Sequence, residues 1–244
     1  MKGEVFLDVE GLAKRFGGVQ AVGDLSFRVR EGEILGMIGP NGSGKTTTFN
    51  VITGFYRPDR GRVRFAGRDI TGLPPYEVCA QGICRTFQIA KPFRELTVLR
   101  NVMMGTLLRH PDPPLARSRA KEVLRAVGLE GRADMEAGSL TTIDQRRLEV
   151  ARALGTEPRL LLLDDTMAGL NPTETAEAIR LIASLREQGI TVIVVEHVMR
   201  AVMSLSDRII VLDQGTKIAE GTPKEISSDS RVIQAYLGGE YQRA

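Results

Sequence analysis

Gly39-Pro40-Asn41-Gly42-Ser43-Gly44-Lys45-Thr46, followed by Thr47, is the most informative stretch of this sequence. It matches the pattern G-x-x-x-x-G-K-[ST], whose glycines let backbone amides approach and surround phosphate oxygens. The apolar residues 34–38 before it have the length of a buried strand, and residues 45–53 after it have helical character. Because a helix N-terminus carries partial positive charge, this context predicts a phosphate-binding loop.

The loop and a distant aspartate together predict ATP with Mg²⁺ as the ligand. Lys45 is expected to reach the β- and γ-phosphates, and Thr46 to supply a hydroxyl to the metal. Asp164 ends the apolar residues 160–163, and open α/β sheets bind ligands at the carboxyl ends of their strands. Its carboxylate is a suitable second metal ligand. The alternatives are a glycine-rich turn with an unrelated lysine, and an aspartate that only caps a turn.

Apolar strands that alternate with helices predict an α/β fold with a mostly parallel sheet flanked by helices, the core of a P-loop NTPase. An antiparallel β subdomain and an inserted helical subdomain are expected to complete it. Residues 1–244 are interpreted as one nucleotide-binding domain, with residues 1–88 and 153–244 as the core and 89–152 as the helical insertion. Strands are predicted at residues 4–10, 25–30, 34–38, 62–65, 68–70, 85–88, 160–164, 191–196, 208–212 and 217–219. Helices are predicted at 45–53, 95–108, 117–127, 145–154 and 172–188, with Pro111, Pro113 and Pro114 interrupting the second and third.

Composition narrows the functional class. The 244 residues carry a net charge of only +3, without a basic cluster interleaved with aromatics, so we expect no nucleic-acid partner. No apolar run reaches the ~18 residues that a membrane span needs, and the N-terminus lacks the features of a signal peptide. We therefore expect a cytoplasmic protein. Cys79 and Cys84 lack companion ligands and are interpreted as packing thiols.

With these motifs in order, the sequence resembles the ATP-binding-cassette ATPases over nearly its whole length. It is most similar to the ATP-binding subunits of branched-chain amino-acid importers. The stretches that carry this closer resemblance are Arg15-Phe16-Gly17-Gly18, the loop at 39–47, Thr53-Gly54-Phe55-Tyr56, Arg85-Thr86-Phe87-Gln88, Ala168-Gly169-Leu170-Asn171-Pro172, Glu196-His197, Gly221-Thr222-Pro223 and Tyr236-Leu237-Gly238.

The resemblance implies roles for four further residues. Phe16 would stack on adenine, and Gln88 would touch Mg²⁺ or its water and face the membrane subunits. His197 would donate a hydrogen bond to the γ-phosphate, and Asp165 would act as general base or orient the attacking water. The expected catalytic set is thus Lys45, Gln88, Asp165 and His197. Phe16 as ordinary core, Gln88 as a surface residue and His197 as a structural residue are the alternatives.

The sequence departs from the family pattern at its catalytic motifs. Asp165 stands where the family has glutamate and is one methylene shorter, and Thr166 stands where proline is usual. The resemblance also implies a signature motif, L-S-G-G-Q in the family, which opens a helix and binds the γ-phosphate of ATP held by the partner subunit. In the corresponding signature region, residues 140–144, Ile143 replaces a glycine. Asp144 adds a negative charge near the expected phosphate, or else caps its own helix. Val198 also replaces a polar residue, with no clear consequence.

Two interpretations of these departures stay open. One is a working ATPase that tolerates them, and the other is a subunit that binds ATP and dimerises but hydrolyses it weakly. A soluble cassette acting on DNA or ribosomes is the third hypothesis, although those usually carry two cassettes or long insertions. The family's mechanism implies a head-to-tail pair with a second ATPase subunit, transmembrane permease subunits, a separate substrate-binding protein, and a place on the cytoplasmic face of the membrane.

Overall fold

The computed structural model describes residues 4–87 and 91–241, and for residues 236–241 it describes the backbone alone. Its central feature is a six-stranded sheet in the order β10-β9-β3-β8-β7-β6, parallel except for β10. The strands are β3 (Ile34–Ile38), β6 (Ile83–Arg85), β7 (Leu160–Asp164), β8 (Thr191–Val195), β9 (Arg208–Asp213) and β10 (Thr216–Gly221). The predicted parallel sheet is confirmed, and β3 and β7 have the predicted bounds.

A second, antiparallel sheet is built by the N-terminal third of the chain in the order β2-β1-β4-β5. Its strands are β1 (Val5–Phe16), β2 (Val19–Arg30), β4 (Arg60–Phe65) and β5 (Arg68–Asp69). The predictions for the first two strands were too short. The pairing of β1 with β2 shifts register between Val9 and Leu12, where Gly11 has φ +57°. Such a bulge breaks the alternating pattern while the strands continue to pair.

Three helices lie in the segment that was predicted to be helical: α3 (Val98–Thr106), α4 (Pro113–Ala126) and α5 (Thr142–Leu154). The prediction that prolines interrupt this region was wrong for α4, which begins at Pro113. Proline fits the first helical turn because the N–H that it lacks has no partner there. The Asp112 side chain caps this end by accepting a hydrogen bond from the Leu115 amide at 3.1 Å.

The remaining helices are α1 (Lys45–Ile52), α2 (Pro75–Gln81), α6 (Pro172–Glu187), α7 (Met199–Leu205), α8 (Pro223–Ser228) and α9 (Ser230–Tyr241). The start of α6 follows the prediction closely. Asn171 and Glu174 form a reciprocal capping box, with Pro172 at the first helical position. The sequence did not predict α2, α7, α8 or α9, because three of these are too short to show a clear helical period.

Three hydrophobic clusters of described residues pack around the core sheet. On β7, Leu160 and Leu162 pack with the antiparallel sheet and α1, whereas Leu161 and Leu163 pack with the helices on the opposite face. Burial on both faces explains why β7 is a continuous apolar run rather than an alternating one. Among the described residues, no helix combines the length and hydropathy that crossing a membrane requires.

Candidate functional site

The loop between β3 and α1 excludes side chains at two of its glycines. Gly39 has φ +153° and Gly44 has φ +100°, which favour glycine. A Cβ atom at Gly39 would lie 2.1 Å from the carbonyl oxygen of Leu212, and one at Gly44 would lie 2.5 Å from that of Ala21. Because both neighbours are backbone atoms, any side chain at either position would displace the loop.

Lys45, the first residue of α1, folds back into this loop. Its ammonium Nζ donates hydrogen bonds to the carbonyl oxygens of Gly39 at 2.7 Å and Pro40 at 2.9 Å, and the side chain is buried. Burial lowers the pKa of Lys45, while the carboxylates of Asp164 and Asp165 oppose that change. A desolvated ammonium at a helix N-terminus provides a strong electrostatic site for an anion.

Most of the predicted site residues line one cavity of about 350 Å³. Its lining is Val19, Gln20, Ala21, Asn41, Gly42, Ser43, Gly44, Lys45, Thr46, Thr47, Asp164, Asp165, Val195 and His197. Two carboxylates, one ammonium, a histidine and two threonine residues therefore border the same space. The start of β2 adds Val19, Gln20 and Ala21, which no sequence motif had indicated.

Three predicted residues of the described chain, Phe16, Gly39 and Pro40, lie outside that lining. Phe16 is 42% exposed and packs edge-on against Tyr56, with 5.0 Å between the ring centroids. Its partner across the β1–β2 pairing is Val19, which does line the cavity. The ring thus lies beside a cavity residue at the end of its strand. Gln88 lies outside the described residues.

Asp164 is held by a buried ion pair that sequence reasoning missed. Arg85 Nη2 donates to Asp164 Oδ2 at 3.1 Å, and Arg85 Nη1 donates to Asn50 Oδ1 at 2.6 Å. Burial raises the pKa of Asp164, and the guanidinium of Arg85 opposes that change most strongly. The sequence offered one signal for this pair. Arg85 ends β6 and Asp164 ends β7, and because these strands are parallel neighbours, their carboxyl ends lie side by side.

Asp165 occupies a left-handed backbone conformation, with φ +54°. Its amide donates to the carbonyl oxygen of Val195 at 2.9 Å, so the chain turns sharply as it leaves β7. Aspartate and asparagine adopt this conformation more readily than other residues with side chains. The backbone thus gives a physical reason for aspartate at a position where the longer glutamate was expected.

The signature region leads into α5, and its last three residues, 142–144, form the first turn of that helix. Thr141, rather than Asp144, caps this helix, because its hydroxyl oxygen accepts a hydrogen bond from the Asp144 amide at 3.2 Å. The Asp144 carboxylate is buried, accepts a hydrogen bond from the Thr141 hydroxyl at 2.7 Å and forms an ion pair with Arg132. Asp144 was one candidate for this cap, and that assignment was wrong. Its charge is compensated inside the chain.

Comparisons with known proteins agree with this geometry. The family model described as ABC transporter matches residues 22–168, and a model described as branched-chain amino acid ATP-binding cassette transporter matches residues 216–242. The high-affinity branched-chain amino acid transport ATP-binding protein LivG of Salmonella typhimurium is 45% identical, over 95% of this chain and 97% of its own length.

Two solved structures share the fold. The ADP conformation of MJ1267, an ATP-binding cassette of an ABC transporter, has a TM-score of 0.87 and 34% identity, covering 96% of this chain and 99% of its own. The dimeric structure of MJ0796, a bacterial ABC transporter cassette, has a TM-score of 0.82 and 27% identity, covering 89% and 98%. With the phosphate loop, the two carboxylates and the histidine in one cavity, these likenesses show that the chain belongs to the ABC transporter family, as one of its nucleotide-binding ATPase cassettes.

Proposed function

We propose that this chain binds MgATP in the 350 Å³ cavity and hydrolyses it to drive import of branched-chain amino acids. The observation that carries the proposal is the buried ammonium of Lys45, held inside the glycine loop and facing two carboxylates. The names of LivG and of the C-terminal family model support the substrate class.

The loop residues would hold the phosphates. Lys45 would contact the β- and γ-phosphates, with amides of residues 39–47 around them. Thr46 and Asp164 fit a magnesium ion, because both border the cavity and carry the hydroxyl and carboxylate oxygens that Mg²⁺ prefers. Gln88 is the third proposed ligand. When bound, Mg²⁺ neutralises charge on the phosphate oxygens.

Asp165 and His197 would act on the attacking water and on the γ-phosphate. Asp165 would accept a hydrogen bond from the water and orient it in line with the bond that breaks. His197, in the segment after β8, would donate a hydrogen bond to the γ-phosphate. Phe16 would stack on adenine beside Val19.

The working unit would be a head-to-tail pair of cassettes, as the dimeric structure of MJ0796 supports. Each ATP would lie between the loop of one subunit and the start of α5 in the other. The γ-phosphate bridges the two surfaces only while it is attached, so hydrolysis would reopen the pair. The Arg132–Asp144 ion pair supports a usable signature helix, because it offsets the charge that would repel phosphate.

Permease subunits would dock where Phe55 and Phe87 are exposed. These side chains are 48% and 40% exposed and contact each other edge-on, with 5.5 Å between ring centroids. Exposed aromatic pairs of this kind are typical of protein interfaces. We place the chain on the cytoplasmic face of the membrane, with a separate substrate-binding protein outside. Residues 89–152 would act as the helical subdomain that transmits closure.

The test is uptake of leucine into proteoliposomes that hold the chain with its permease subunits, its substrate-binding protein and enclosed MgATP. Native protein should drive uptake and release phosphate, and Lys45→Ala should stop both. Uptake that is independent of Lys45 would contradict the proposal.

A second candidate is a subunit that binds ATP but hydrolyses it weakly. The short side chain of Asp165 in its left-handed conformation favours it, because small misplacements of a catalytic group cost ~10²-fold in rate. Phosphate release by the isolated native dimer separates the two candidates.

A further inference from the structure

The carboxylate of Glu196 joins two loops of the site. It follows the end of β8 and precedes His197, and it is buried, with 2% exposure. Its Oε1 atom accepts a hydrogen bond from the Met167 amide at 2.8 Å and another from the Thr166 hydroxyl at 3.1 Å. A single oxygen thus connects the segment after β8 to the segment after β7.

Asp165 immediately precedes the two residues that Glu196 holds. Its own amide donates to Val195 at 2.9 Å, so three consecutive residues after β7 are bonded to residues 195 and 196. Asp165 holds a left-handed conformation, and strained conformations persist where surrounding contacts fix them. The bonds from Thr166 and Met167 are such contacts on its C-terminal side.

The buried carboxylate of Glu196 lowers the stability of the fold more than an apolar side chain at this position would. Within the described part of the chain, its Oε2 atom is buried without a hydrogen-bond partner. Burial raises the pKa of Glu196 to about 7, with the nearby Asp165 adding to the effect. A buried carboxylate with an unsatisfied oxygen lowers stability, and such costs are typical of residues that serve activity.

We propose that Glu196 is a positioning residue for ATP hydrolysis, which fixes Asp165 relative to His197 by holding Thr166 and Met167. This inference rests on the proposed function. It also accounts for Thr166, which stands where the family resemblance implies proline. Threonine supplies the hydroxyl donor that proline lacks.

The test compares Glu196→Ala, Glu196→Gln and Thr166→Val in steady-state hydrolysis and in equilibrium binding of ATP. Glu196→Ala should lower kcat by about 10- to 100-fold while KM and the Kd for ATP stay within about twofold, because the loop shifts but the phosphate site remains. Glu196→Gln should recover most of kcat, since an amide oxygen accepts the same two bonds. Thr166→Val, which removes one bond, should fall between native and Glu196→Ala. The exposed Glu187→Ala is the control and should match native protein.

The inference is overturned if Glu196→Ala keeps native kcat, if Glu196→Gln is as slow as Glu196→Ala, or if KM rises while kcat is unchanged. If Glu196→Ala does not fold, Thr166→Val with native kcat overturns it alone. A separate result would overturn the proposed function itself. In that case Lys45→Ala would hydrolyse ATP as fast as the native chain, whatever the Glu196 variants do.

Discussion

Arg85 and Asp164 form a buried ion pair across two neighbouring parallel strands, with 3.1 Å between Nη2 and Oδ2. Their side chains are 5% and 3% exposed. The guanidinium also lies over the Phe87 ring, 4.7 Å from its centroid. The pair therefore links the proposed magnesium ligand to the strand that leads towards residues 88–90.

Removing one partner of this pair should strongly lower the stability of the folded protein. Arg85→Met leaves the Asp164 carboxylate buried without its cation, and we expect a loss of about 3–5 kcal/mol in the free energy of unfolding. The control is Arg119→Met, which breaks an exposed pair with Glu122 and should lower stability far less, because solvent screens that pair. Urea unfolding followed by circular dichroism measures both, and equal losses would show that the buried pair has no special role.

Gly44 tests the geometry of the loop. Gly44→Ala brings a Cβ atom to 2.5 Å from the Ala21 carbonyl oxygen at φ +100°, so the loop must move. We expect ATP affinity to fall by at least ~10-fold, because the backbone amides lose their alignment with the phosphates. Gly131→Ala is the matched control, as nothing lies within 4 Å of its Cβ position. Nucleotide titration that finds equal affinities for these two variants would refute the loop's proposed role.

Glu196 gives stability a predictable pH dependence. Its pKa is raised from 4.5 to about 7 in the folded protein. Below pH 4.5 the group is protonated in both states. Between pH 4.5 and about 7, the unfolded chain has released this proton while the folded chain still binds it. Stability therefore falls as the pH rises through this range, and the contribution is lost above pH 7.

Glu196→Gln removes that titration. Native protein should lose stability between pH 5 and pH 8, and the variant should not. The difference in the free energy of unfolding between variant and native protein should therefore shift in favour of the variant by up to about 3 kcal/mol over this range. Chemical unfolding at both pH values measures the difference. A stability difference that does not change with pH would mean that Glu196 titrates normally.

Asp165 tests the hydrolytic step. Asp165→Asn keeps the side-chain shape and the backbone preference but removes the negative charge. If Asp165 orients the water, phosphate release should fall by ~10²-fold or more while the Kd for ATP changes little. Unchanged phosphate release would exclude Asp165 from this role.

A restored variant addresses the weak-hydrolysis alternative. Asp165→Glu with Ile143→Gly returns two departures to the family pattern and leaves Asp144 paired with Arg132. A large gain in turnover would favour a native subunit that hydrolyses weakly. No gain would favour a working ATPase whose own geometry suits aspartate.

The sequence predicted the parts of this site that lie within local motifs. The glycine loop and the strand that ends at Asp164 are contiguous stretches whose composition reflects their own geometry. Arg85 and Glu196 stand in stretches that carry the family resemblance, but the sequence assigned them no role, because their contacts are with neighbours distant in the chain. Arg85 meets Asp164 through strand order, and Glu196 meets Met167 through the loop after β7. Local periodicity carries no information on either contact.

Calorimetric titration of MgATP into native protein and into Lys45→Ala tests the central claim most directly. If the buried ammonium and its glycine loop hold the triphosphate, native protein should bind one nucleotide per chain, and Lys45→Ala should bind at least ~10-fold more weakly. Equal affinity in both proteins, or no heat with the native one, would contradict the account.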